Sequence, residues 1–264
     1  MEADLYLDLS IGGTGGAGTS GDPYRSFADV PTYAGGGSNN VLVTGDTTIS
    51  GSQTIKGGYN YFSRVRQSIG NLTTVCVFGW DSAAYDTTFN NLIFRGYWSD
   101  NDDVTNLITF TNCWFQNRFD HTLRFFYIHR PITFNFCRFS GGCYTSGGSN
   151  NQSRFLQPSL GNNTPYPTII FNRCSFYIEA KGYDNSEFLT QSSYNIMTIK
   201  NCILQFINLG LMSSTPFSTG SPTVIDGLVT GGDSTQGTVV GDIGFVDPRN
   251  HNLELLDTSP VHAL

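Results

Sequence analysis

Acidic and basic side chains gather at two places in this 264-residue chain, and each set contains groups able to break a bond. The first is Asp100, Asp102 and Asp103, followed by Asp120, His121, Arg124, His129 and Arg130. If the fold brings Asp120 and Arg124 beside the three aspartates, carboxylates and a basic side chain meet in one cluster. The second is Glu179, Lys181, Asp184 and Glu187. Two carboxyl groups about 5–9 Å apart are the equipment of glycoside hydrolysis. Neither set follows a fixed catalytic spacing, and a solvated corner rich in acids is the simpler account of both. Asp100, Asp102, Asp103, Asp120, Arg124, Glu179, Asp184 and Glu187 are therefore candidates only if the chain is an enzyme, and no catalytic residue is assigned.

Binding chemistry has softer signals. Tyr97, Trp98, Tyr144, Tyr166 and Tyr183 are candidates for contact with a glycan or a partner protein, since sugar rings and protein surfaces both stack on exposed aromatics. Tyr59, Tyr61, Trp80, Tyr85, Tyr177 and Tyr194 fall in the same class of turns and strand edges. No pair of cysteines has the short spacing that metal sites prefer, so no metal or cofactor is expected. The glycine-rich run 12–21 contains Gly-x-Gly patterns but no following βαβ unit, which excludes a nucleotide-binding reading.

The elements that must position these residues repeat. Phe110-Thr-Asn-Cys-Trp-Phe115, Phe134-Asn-Phe-Cys-Arg-Phe139, Phe171-Asn-Arg-Cys-Ser-Phe176 and Ile199-Lys-Asn-Cys-Ile-Leu204 share one pattern. Each has a Cys with a large apolar residue three before it and another two after. Weaker copies at 89–94 and 224–229 put Leu92 and Gly227 at the Cys position. Spacings between centres are then 21, 24, 37, 28 and 25 residues. A second apolar phrase alternates with the first, at 123–128, 153–157, 186–190 and 208–213. Two short strands in so few residues fit a coil of a parallel β-solenoid better than a four-stranded propeller blade. Cysteines 113, 137, 174 and 202 then read as free thiols filling one core slot on successive layers.

Composition agrees. Charged residues make up only 13%, against 30 Gly, 20 Phe and 13 Tyr, a profile for turn-rich all-β structure. A net charge of −7 argues against nucleic acid as a partner. No 18-residue apolar run is present, so no membrane span is expected. The start, Met1-Glu-Ala-Asp-Leu-Tyr6, has neither a basic n-region nor an apolar h-region, and the expectation is a chain not exported by a signal peptide.

Both ends carry a resemblance. Residues 4–30 run from an alternating strand (Leu5, Leu7, Leu9) through a Gly/Thr/Ser loop to Asp22-Pro-Tyr-Arg-Ser-Phe27, with Ser26 to Asp29 able to start a helical turn. Residues 241–264 carry Phe245, Asp247, Pro248, Asn252, Leu253, Leu255, Ser259, Pro260 and Val261 in a Phe-x-Asp-Pro … Ser-Pro-apolar phrase. These stretches resemble the opening and closing phrases of right-handed parallel β-helix proteins of the pectate-lyase-like class, including phage fibre, tailspike and virion decoration proteins. The resemblance implies an all-β, right-handed parallel β-helix solenoid with a short N-terminal cap, and dividing residues 41–256 by a repeat of about 24 gives about nine coils. Its divisions are an opening segment 1–40, coils 41–240 and a closing segment 241–264, in one continuous domain. Family enzymes are lyases with an Arg or Lys base and bound Ca2+, or hydrolases with paired carboxylates. The expected function is a bacteriophage virion structural protein with adhesion to host-surface glycans. Its expected partners are itself (a homo-oligomer, a trimer by analogy), other virion proteins and host polysaccharide. The alternatives are a polysaccharide lyase or glycoside hydrolase and a secreted, non-catalytic surface β-helix. The familiar Asp-x-Gly after Ser-Pro-apolar is replaced here by His262-Ala-Leu264, which raises the expectation that another chain completes that end.

Overall fold

The computed structural model describes residues 4–35, 39–48, 50–72, 76–80, 85–99, 106–119, 126–128, 130–144, 154–158, 168–181, 187–189, 196–208, 223–232 and 238–263. Their regular structure is almost entirely β. The apolar residues alternate with polar ones, and β-branched and aromatic side chains dominate the inward positions.

Three columns of parallel strands build the body. The first starts with β1 (Leu5–Asp8), β2 (Asn40–Thr44), β4 (Asn60–Gly70) and β6 (Thr87–Arg95). The first half of β6 continues into β8 (Ile108–Thr111), β11 (Ile132–Asn135), β14 (Thr168–Asn172), β17 (Ile196–Lys200) and β19 (Thr223–Asp226). Its second half leads the second column: β9 (Trp114–Gln116), β12 (Arg138–Tyr144), β15 (Ser175–Lys181), β18 (Ile203–Asn208), β20 (Val229–Gly232) and β21 (Thr238–Gly241). A separate sheet forms the third column from β3 (Gly51–Ile55), β5 (Cys76–Trp80), β7 (Tyr97–Ser99), β10 (Phe126–Ile128), β13 (Arg154–Pro158) and β16 (Glu187–Leu189). Through the middle of the chain the columns are visited in turn, and each strand pairs in parallel with its counterpart one circuit on; β1 and β2, and β20 and β21, are consecutive strands that pair directly. This all-β body with long parallel sheets is consistent with a β-solenoid. The final β22 (Phe245–Asp247) and β23 (Asn252–Leu255) form an antiparallel hairpin.

Register explains the repeated phrase. Phe89, Phe110, Phe134 and Phe171 pair rung by rung in the first column, and Phe94, Phe115, Phe139 and Phe176 do so in the second. Their rings stack along each column, with Phe134 and Phe171 centroids 4.9 Å apart and Phe139 and Phe176 4.7 Å apart. Across the core the two columns meet edge to face, as at Phe134–Phe139. Cys113, Cys137, Cys174 and Cys202 are all buried in this one core. The Cys137 thiol donates to the carbonyls of Asn135 and Phe110. These four cysteines are unpaired, and burial pushes the Cys113 thiol up to about 12.

The residue before each core slot makes the corner between the first two columns, and it is left-handed every time: Asn91, Asn112, Phe136, Arg173, Asn201 and Gly227 have φ of 51–66°. This corrects the alignment of the last copy. Ile199 pairs with Ile225 and Lys200 with Asp226, so Gly227 takes the corner and Leu228, 3% exposed, fills the slot. Glycine is there for its φ, where three of the other rungs use Asn.

At the start of the chain, β1 also bonds to the glycine-rich loop: Tyr6 N–H donates to Gly18 O and Tyr24 N–H to Tyr6 O. Ser26 to Asp29 closes as a single hydrogen-bonded turn and does not extend into a helix.

Candidate ligand-binding face

Of the charged candidates, Asp100, Asp102, Asp103, Asp120, Arg124 and Asp184 lie outside the described residues, as do Tyr166 and Tyr183. Glu187 begins β16 and Tyr144 ends β12, but their side chains are outside the description. Glu179 is described, and its surroundings are those of a structural acid. It is 1% exposed, and Arg249 grips it bidentately at 2.7 and 2.9 Å. Tyr177 donates to Glu179 Oε1 at 3.0 Å; burial and that carboxylate push the phenol up to about 12.

Arg249 belongs to the closing segment, which lies as a strap along the outer face of the second column. Ile243, Phe245 and Leu253 form a small apolar core of their own under it. Ile243 N–H donates to Gln205 Oε1 at 2.7 Å, and Ser140 Oγ shares a 2.7 Å hydrogen bond with His251 Nδ1. The His251 ring stacks on Phe119. Burial, reinforced by the Arg95 charge, lowers His251 to about 4, so it is neutral at pH 7. Ser140 and His251 look like a nucleophile and base, but Ser140 is 3% exposed and sealed beneath the strap.

Trp98 is corrected by the structure. It is 3% exposed and packs on Phe78 and Phe94, offering no face to a sugar, whereas Tyr97 beside it points partly outward. Tyr59 and Tyr61, placed by the sequence among the exposed aromatics, are also core residues. The reason is strand parity: in β7 the odd residue faces out and the even one faces in.

A different set of aromatics reaches the surface, at the corner between the first two columns. Phe136 is 49% exposed there. The Arg173 guanidinium, one rung on, sits over its ring at 5.5 Å. Trp114 carries two guanidiniums, Arg66 at 4.1 Å and Arg138 at 4.8 Å. Arg138 neighbours Trp114 in register, so each aromatic bears the arginine of the next rung. Burial lowers the pKa of both Arg66 and Arg138; the neighbouring Arg138 charge adds to the effect at Arg66, and Glu254 opposes it at Arg138. Arg66 donates to Asn112 Oδ1, and amides join neighbouring rungs at Asn112–Asn91 and Asn172–Asn135. Two open clefts flank the strip. One of about 450 Å³ is lined by Asn135, Phe136, Asn172, Arg173, Lys200 and Asn201, among others. The other, about 430 Å³, includes Arg64, Asn90, Asn91 and Asn112.

Phe136 and Trp114 were missed in the sequence, though it held a signal for each. Phe136 is the one large aromatic among the Asn, Arg and Gly residues that precede the core slot. Trp114 follows the slot by one, the parity that faces solvent. No family model matches the chain, and no curated protein or solved structure is significantly similar to it.

Proposed function

We propose that the chain is a right-handed parallel β-helix of about nine coils with a short N-terminal cap, of the pectate-lyase-like class, that serves as an adhesive structural protein of a bacteriophage virion. It meets host-surface glycans through the corner between its first two strand columns and acts as a fibre, tailspike-like or head-decoration protein. The observation that carries this reading is Phe136. A bulky residue in the left-handed region is an outlier that a scaffold keeps for a use, because Asn serves the same corner on other rungs. A half-exposed ring, with side-chain amides on the same and adjacent rungs, suits a sugar: the ring takes the apolar face, the amides take the hydroxyls. Parallel stacking repeats the amides from rung to rung along the axis, as a polymer requires.

The proposed assembly is a closed homo-oligomer, a trimer by analogy with viral β-helices, in contact with other virion proteins. The engagement of both Glu179 oxygens by Arg249 supports a structural use of that acid. The test is retention of purified protein on a panel of immobilised bacterial surface polysaccharides, with light scattering for its mass. Retention that disappears in Phe136→Asn supports the reading; no retention on any glycan, or retention indifferent to Phe136→Asn and Trp114→Ala, overturns it.

A further inference from the structure

The chain is acidic overall, yet five of its 14 Lys and Arg residues, namely Arg64, Arg66, Arg138, Arg173 and Lys200, lie along this one corner. Among the described residues, Arg66, Arg138 and Arg173 enter no ion pair; Lys200 meets Asp226 only at 4.0 Å. Arg66 Nε and Arg138 Nη1 are shielded from solvent and find no acceptor. Two like charges converging on one indole, offset at Arg138 only by the Glu254 charge acting without an ion pair, cost stability unless something anionic joins them.

We propose that this strip binds a linear anionic glycan, one carrying carboxylate or phosphate groups at intervals, laid along the stack axis. This rests on the glycan-adhesive reading above and names its ligand class. An arginine held over an aromatic face loses freedom but keeps its in-plane N–H donors, the geometry that grips carboxylate and phosphate with two hydrogen bonds. Arg138 and Arg173 are so held on adjacent rungs, with Lys200 one rung further. From Arg66 to Lys200 the strip spans five rung steps, roughly 24 Å at about 4.8 Å per step. Cations therefore recur along a line. Asn112, Asn135, Asn172, Thr198 and Asn201 beside them offer uncharged donors and acceptors, which hydroxyl-bearing sugars use. That mixture, on a chain of net charge −7, separates the strip from a nucleic-acid surface, which needs an unbroken basic field.

The experiment is affinity electrophoresis of the full chain through gels containing polygalacturonate, a ribitol-phosphate wall polymer, dextran or single-stranded DNA, at low and high salt. The expected result is retardation by one or both anionic glycans, weakened by salt and lost about tenfold in Arg138→Gln and in Arg173→Gln. Which polymer retards shows whether carboxylate or phosphate is the recognised group. Thermal unfolding of both variants confirms that they fold, and Arg173→Glu gives a second, exposed position with a larger expected loss. Retardation by dextran equal to that of the polyanions, unchanged in the arginine variants, would overturn the anionic class while leaving the adhesive reading intact. DNA held as tightly as the glycans overturns it as well, marking a general polyanion surface. No retardation in any gel removes both.

Discussion

The outer face of the second strand column and the corner beside it are built from the same strands, and they end in opposite states. On β12, Ser140 is buried under the strap and bonded to His251, while Arg138, two residues earlier, lies over Trp114 at the corner. On β15, Glu179 is buried and paired with Arg249; Arg173, just before that strand, sits over a half-exposed phenylalanine. Under the strap, Ser140, Glu179 and Gln205 each find a partner in the closing segment. At the corner, guanidinium donors are left over and an aromatic keeps a strained backbone. A parallel stack repeats whatever it presents, so an outer column becomes a site where the chain's own tail does not cover it.

Both regions hang from the shared phenylalanine core, so breaking that core should damage them together and with the largest effect. Phe134→Ala or Phe171→Ala is expected to cost about 3–5 kcal/mol by denaturant unfolding. Unfolding unchanged from the parent would show that the ring stacks do not hold the layers.

Acid should separate the regions next. His251 has its proton affinity depressed in the fold to about 4, below the ordinary value near 6.5. The unfolded chain then binds more protons between those values, so this contribution is complete above about pH 6.5 and is lost as pH falls toward 4. The loss is of order 2–3 kcal/mol, and the strap is where it acts. Amide exchange should accelerate in 243–256 at pH 4.5 while the corner strands stay protected. His251→Asn should flatten the pH dependence; a profile identical to the parent's would remove His251 as its source.

Arg249→Ala tests the strap from its other anchor. It leaves a buried carboxylate with Tyr177 as its hydrogen-bond donor, at an expected cost of roughly 1–3 kcal/mol. Because Arg249 itself is well exposed, the penalty resides in Glu179, and adding Glu179→Gln should recover part of it. Full additivity of the two substitutions would mean that the pair is not coupled.

How much of this was legible in sequence follows from range. The slot phrase could be read because it recurs: large apolar residues stand three before and two after Cys on each copy, although the odd spacing of three shares a core only through the left-handed corner residue between. Gly227 slipped by one because glycine as a corner residue and glycine as a filler look alike until register is known. The inward turn of Trp98 needed strand boundaries that composition does not supply. Arg249 and Glu179 are 70 residues apart, and nothing near either announces the other. The corner site was half legible. The odd Phe136 and the outward parity of Trp114 stand in the sequence, but the arginines over them come from other rungs.

The smallest stability effect should also be the most telling, because its sign is reversed. At the corner position, Asn112 and Asn201 have φ of 53° and 51°, and Phe136 has 55°. The backbone is therefore the same and only the side chain differs. Left-handed backbone costs an ordinary residue about 1–2 kcal/mol, and Asn offsets part of that by local hydrogen bonding. Phe136→Asn should accordingly stabilise the protein, by about 0.5–1 kcal/mol once the lost contact with Arg173 is subtracted. The same substitution should weaken glycan retention. A gain in stability coupled to a loss of binding is the signature of a residue kept for function at the expense of the fold. If Phe136→Asn instead destabilises the chain and leaves binding unchanged, Phe136 is a structural residue and the contrast between covered column and open corner loses its functional meaning.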